Sequence, residues 1–197
     1  MKKLNELIDF YGSDKNASNY TYAYVHFFED IRLKINSLLE IGIGTLVEGA
    51  KSSMHDWKTD HVSEYKQGAS LRAWADYFPN AKIYGGDIQP DTQFSTEKIN
   101  TFLFNSQDSV ECTTALKDLT FDIIIDDGNH DPSSQIKTFI NLISRVNTNG
   151  FYVIEDVCLG NSDQIIQYTK PIAEIFGFES YIVNPEKNLI VFKRYNK

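Results

Sequence analysis

The stretch 121–130, FDIIIDDGNH, is the part of the chain from which the fold can be read. Three isoleucines entered through Phe121 and Asp122 form the β-branched run of a buried parallel strand. The Asp-Asp-Gly-Asn-His that closes the stretch has the polarity of a loop. Ligands of open α/β sheets bind in the crevice beyond the carboxyl ends of the strands, which puts Asp127 and His130 where chemistry is expected. A second strand, 151–154, ends in Glu155 and Asp156. If the two strands are neighbours, about 4.8 Å apart, then Asp127, His130, Glu155 and Asp156 converge on one small volume.

The surrounding chain supports an α/β reading. At 197 residues it is long enough for one such domain with a full core and short for two. Hydrophobic residues make up 42% and charged residues 23%, an ordinary globular balance with no repeat, linker or low-complexity run. Acids outnumber bases by 27 to 19, and the pI is near 5.0, so the clustered cations that phosphate binding draws on are missing and no nucleic-acid partner is expected. No apolar run approaches the roughly 18 residues of a membrane span. The opening MKKLNELIDFYG breaks its apolar pattern too early for a signal peptide. Cys112 and Cys158 form neither a CxxC nor a disulfide framework, and a reducing cytoplasm is the expected compartment.

Working outward, residues 2–11 have apolar positions at helical spacing and stop at Gly12. A polar loop with Ser13, Asp14 and Lys15 precedes an aromatic helix over about 20–32, in which Tyr20, Tyr22, Tyr24 and His26 are expected to pack as core. The first strand, 37–43, carries Glu40 and ends in Gly42 and Gly44, a pair that lets backbone approach a ligand. Val47 stands where the dinucleotide fingerprint wants a third glycine, and no P-loop follows.

Residues 45–68, with Met54, His55, Trp57, His61 and Tyr65, are too long for an ordinary βα connection and read as a lid, with both histidines facing solvent. A helix, ASLRAWADYF, follows, and the strand 81–87 ends in Asp87, where nucleoside-binding α/β domains place an acid on the ribose hydroxyls. A third strand, 101–104, leads to the polar patch Asn105, Ser106, Gln107 and Asp108, and a helix covers about 110–117. Asp131-Pro132 starts a helix running to about 145, and Asn149-Gly150 turns into the fifth strand. A helix over 163–175 and a hairpin, 178–183 with 188–195 and Pro185 in its turn, close a mostly parallel sheet with one antiparallel strand.

Taken together, GSDK, YTYAY, LLEIGIG, GASLRAW, YGGDI, DDGNH and VIEDV resemble the class I S-adenosylmethionine-dependent methyltransferases, and among them the metal-dependent sugar O-methyltransferases of the macrocin and mycinamicin type. The resemblance spans roughly residues 12–157. It departs at Ser18, where the family commonly has a histidine, and the separate N-terminal domain that the family often carries is not expected here. It implies a Rossmann-like fold with seven strands and helices on both faces, here as a single methyltransferase domain over 1–197 with a helical cap at 1–36. It also implies S-adenosylmethionine and a divalent cation such as Mg2+ as cofactors.

Residue by residue, the resemblance places Gly42 and Gly44 under the methionine part of the cofactor with Glu40 near its amino group. Asp87 would hold the ribose, Gln107 and Asp108 would lie by the adenine, and Ser70, Ile88 and Asp126 complete the cofactor set. Asp127, Glu155 and Asp156 would bind the metal, and His130 would be the general base. Glu155 and Asp156 are consecutive, so on an ideal strand they point to opposite faces, and which of them binds stays open. The expected acceptor is a sugar or other small molecule, and a homo-oligomer is compatible with the family. Two rival readings of the same residues are weaker. GNHD also occurs in metallophosphoesterases, but the DxH and downstream histidines of that chemistry are missing. A non-catalytic nucleoside-binding module would not need Asp127, His130 and Glu155 together.

Overall fold

The computed structural model describes residues 2–50, 53–55, 65–158, 160–183 and 188–196. Helix α1, Leu4–Tyr11, buries Leu4, Leu7 and Ile8 and ends at Gly12, whose left-handed backbone lets its N–H reach back to the last turn. After a short 3-10 turn, Asp14–Asn16, comes α2, Tyr20–Phe28. The α/β alternation then begins: β1 is Ser37–Ile41, α3 is Ala69–Tyr77, β2 is Lys82–Asp87, and β3 is Ile99–Leu103. It continues with α4, Ser109–Leu116, β4, Phe121–Asp126, α5, Pro132–Leu142, and β5, Val146–Val157. Helix α6, Ser162–Ile175, leads to β6, Phe178–Val183, and β7, Asn188–Arg194.

The seven strands form one sheet in the order β3-β2-β1-β4-β5-β7-β6. Strands β1 to β5 pair in parallel, and β7 runs antiparallel to both its neighbours. The chain steps from β1 outward to β3, then crosses back to lay β4 on the other side of β1. That reversal opens a crevice beyond the carboxyl ends of β1 and β4, the position at which such sheets take ligands.

Helices cover both faces, which is why β4 is apolar on both sides. Ile123 and Ile125 join a core with Leu7, Tyr24, Phe28, Trp74 and Phe78, so α1, α2 and α3 share one face. Ile124 faces Cys112, Phe139, Leu142 and Ile165, contributed by α4, α5 and α6. An alternating strand would leave one face wet; a strand buried on both reads as a continuous run.

One expectation needs correcting. Asn149-Gly150 does not turn into β5 but lies within it. Pairing with β4 jumps from Phe121 and Val146 to Ile123 and Phe151, so the intervening residues bulge, and Asn149 takes φ 64. Asn tolerates that left-handed step, and a Cβ on Gly150 would meet the Asp122 carbonyl at 2.6 Å. Pro185, read as part of the final hairpin turn, lies outside the described residues. Among the described residues, no helix is long and apolar enough to cross a membrane.

Candidate active site

The site is built from strand ends. Gly42 leaves β1 at φ 86, and a Cβ there would fall 2.0 Å from the carbonyl oxygen of Asp127. Only glycine lets the β1 turn pass under the loop after β4. Asp87, at the end of β2, accepts hydrogen bonds from the Ile43 N–H and the Gln89 N–H, each at 2.8 Å, and so ties β2 to that turn. Burial first raises the Asp87 pKa, and these N–H donors pull it partly back. Beyond these ends lies a cavity of about 490 Å³, within the usual range for small-molecule sites. Its walls include Gly42, Gly44, Ser70, Asp87, Ile88, Gln107, Asp127, His130 and Asp156, together with Asp14 from the loop after α1. Met54 and Tyr65 of the expected lid also line it and sit directly over Gly44. Trp57 and His61 of that segment lie outside the described residues; His55 is exposed, as expected.

In the cavity wall, ligand atoms of Asp127, His130 and Asp156 all lie within 4.8 Å of one another. The His130 Nε2 stands 3.6 Å from Asp127 Oδ1 and 3.5 Å from Asp156 Oδ2, too far for a good hydrogen bond to either, and it is buried without another partner. Burial disfavours the imidazolium, but the three acids Asp127, Asp156 and Asp126 outweigh it and raise the His130 pKa. Burial likewise works against the Asp127 carboxylate. There the Lys15 ammonium and His130 win, holding its pKa near 2.

Asp156 reaches this group through a break in β5. It takes φ 50, and pairing with β7 shifts between Ile154 and Val157, so strict alternation fails just where the two acids stand. The Tyr20 hydroxyl holds the break, donating to Asp156 Oδ1 at 2.8 Å and accepting from the Asp156 N–H at 3.0 Å.

Glu155 lies elsewhere. It is buried, with one carboxylate oxygen 2.7 Å from Lys15 and the other accepting from the Tyr24 hydroxyl. Lys15 also meets Asp127 Oδ2 at 2.7 Å and Glu40 Oε1 at 3.1 Å. Glu40, expected by the cofactor amino group, does not line the cavity; its second oxygen accepts from the Trp74 indole at 2.7 Å. Asp126 is also buried beneath the wall, and burial pushes its pKa up to about 7. Asp108, expected by the adenine, caps α4 with its carboxylate, accepting from the N–H groups of Val110 and Glu111, while Asn105, Ser106 and Gln107 line the cavity.

Sequence reading missed Lys15, Tyr20 and Tyr24 as parts of the site. The signal was there in the spacing: Tyr20 and Tyr24 are four apart and share a helix face, while Tyr22 points out at 79% exposure. His26, expected to pack, is exposed.

The fold, with its crevice at the switch point, is that of a class I methyltransferase. The MycE methyltransferase from the mycinamycin biosynthetic pathway, solved with Mg, SAH and mycinamycin VI, matches with a TM-score of 0.76 at 22% identity over 99% of this chain and 54% of that one. No protein-family model matches the chain. In sequence the chain is 31% identical over 153 residues to the 8-demethyl-8-alpha-L-rhamnosyl tetracenomycin-C 2'-O-methyltransferase of Streptomyces olivaceus, covering 75% of this chain and 35% of that protein. It is 32% identical over 139 residues to the mycinamicin VI 2''-O-methyltransferase of Micromonospora griseorubida, covering 70% and 31%. The chain is thus a relative of the sugar O-methyltransferases of the tetracenomycin, mycinamicin and macrocin type, and the match spans about a third of the length of those relatives.

Proposed function

We propose that the chain carries the catalytic site of an S-adenosylmethionine-dependent O-methyltransferase that acts on a sugar hydroxyl of a glycosylated small molecule with the help of a divalent cation. The observation that carries this reading is the meeting of Asp127, His130 and Asp156 in a cavity that Gly42, Gly44 and Asp87 also line. Its relatives act by name on a rhamnosyl tetracenomycin and on mycinamicin VI, and MycE was solved with Mg and SAH.

The residues fit a cation. The carboxylates of Asp127 and Asp156 form a hard oxygen donor set that favours an ion such as Mg2+, with the unpartnered Nε2 of His130 beside it. Asp127 and Asp156 would hold it; Glu155 would join only by giving up its contact with Lys15. Such an ion, when bound, makes a coordinated sugar hydroxyl more acidic. Asp87 would orient the ribose, and the Gly42 turn would let backbone lie against the methionine part. Attack on the sulfonium methyl forms the new O–C bond and breaks the S–C bond, releasing S-adenosylhomocysteine. The hydroxyl proton passes to His130 Nε2. Much of the acceleration comes from holding the hydroxyl in line behind the methyl group.

The test is transfer of a labelled methyl group from S-adenosylmethionine to a panel of rhamnosylated and macrolide acceptors. The expected product is a methyl ether whose formation stops on chelation by EDTA and in Asp127→Ala. Label transfer undiminished by EDTA would remove the cation, and label appearing only on non-sugar acceptors would overturn the acceptor class.

A further inference from the structure

Lys15 is 1% exposed, and a buried ammonium persists only where its donors are met. It has three donors and no acceptor; it donates to Asp127 Oδ2 and to Glu155 Oε2, each at 2.7 Å, and forms an ion pair with Glu40 Oε1 at 3.1 Å. Two of these acids spend their second oxygen inside the protein, Glu40 on Trp74 and Glu155 on Tyr24. Only Asp127 turns its other oxygen, Oδ1, toward the cavity, where it faces His130. Lys15 therefore touches the site through one residue.

We propose that Lys15 is a positioning residue that fixes which oxygen Asp127 offers to the cavity and sets how strongly the acidic end attracts a divalent cation. The idea rests on the methyltransferase reading for its purpose but not for its geometry. By pinning Oδ2, Lys15 leaves Oδ1 as the free oxygen of Asp127. By pairing with Glu155, it withholds that carboxylate from an entering ion. Loss of the ammonium would leave Glu40, Asp127 and Glu155 without their shared cation, and uncompensated buried charge is strongly unfavourable. A divalent ion is the natural replacement. The expected sign is thus opposite to that of a lysine that merely fills space: its removal should tighten metal binding while impairing methyl transfer.

The experiment measures Mn2+ affinity of the parent, Lys15→Met and Lys15→Gln by calorimetry, with neither methyl donor nor acceptor present. Thermal melts with and without Mn2+ and an S-adenosylhomocysteine titration run alongside. The variants should bind Mn2+ roughly tenfold or more tightly, because a positive charge has left its immediate surroundings. Mn2+ should also raise their melting temperature by more than it raises the parent's, and turnover should fall with S-adenosylhomocysteine affinity retained. If Lys15→Met does not fold, Lys15→Gln keeps amide donors for the acids, and the Mn2+-dependent melt reads the same effect. Mn2+ affinity that is unchanged or weaker in a folded variant, or a melt that Mn2+ shifts no more than the parent's, overturns the proposal. A parent that fails to bind S-adenosylhomocysteine would instead overturn the methyltransferase reading and leave the Lys15 result standing on its own.

Discussion

At the scale of single residues, His130 and Asp126 are opposite cases of a group next to Asp127. His130 is held toward its protonated form by the acids around it, yet a general base must be neutral to accept a proton. Turnover should therefore climb with pH through a value above the ordinary histidine pKa of about 6.5. His130→Gln should remove that limb and lower kcat by about 10²- to 10⁴-fold, leaving S-adenosylhomocysteine affinity unchanged. A variant with parental kcat would remove the base. Asp126 is buried, and its folded pKa of about 7 stands above the unfolded value. The stability this group contributes is fully present below about pH 4 and is lost as pH rises through about 7, amounting to on the order of 4 kcal/mol at most. Denaturant melts across that window should show Asp126→Asn with a flatter pH profile and greater stability than the parent at pH 8. Parallel profiles would mean that Asp126 ionises freely in the fold.

Single residues also mark how far the sequence could be read. Asp127, His130 and Asp87 were legible because a polar group that closes a buried parallel strand stands at the crevice where such sheets take ligands. Lys15 was not, because nothing in a loop reading GSDK says that its lysine turns inward across the sheet. Its partners Glu40, Asp127 and Glu155 come from three different strands or strand ends, and only the parallel order of β1, β4 and β5 brings them together.

At the scale of elements, strand periodicity and helix caps governed what could be foreseen. The β4 run announced burial on both faces and hence helices on both sides. The break in β5 at Asp156 was silent, since a non-glycine residue at φ 50 leaves no trace in an Asp-Val pair. Tyr20→Phe tests how that break is held. It leaves the Asp156 N–H without its partner and should cost about 1–3 kcal/mol in denaturant unfolding, with a matching loss of metal affinity. Stability and metal affinity both at parental levels would show that the bulge holds itself. Asp108 illustrates an ambiguity intrinsic to acids that precede helices, which can cap or bind. Asp108→Ala should lower stability by about 0.5–2 kcal/mol as a lost N-cap and leave S-adenosylhomocysteine affinity untouched. A weakened affinity with unchanged stability would place Asp108 by the adenine.

At the scale of the whole molecule, sheet order accounts for the site. Crossing back from β3 to β4 brings Asp87, the Gly42 turn and the Asp127 loop to one crevice, and β5 adds Asp156. In the proposed reading Asp87 and the Gly42 turn would take the nucleoside and Asp127 and Asp156 the cation, and a methyl group would pass between them. The most direct test is calorimetric titration of the parent and Asp87→Ala with S-adenosylhomocysteine, with and without Mg2+. The account predicts one-to-one binding by the parent in both conditions, weakened roughly tenfold or more in Asp87→Ala, which loses the ribose contact and the tie to Ile43. No binding by the parent in either metal condition would contradict it.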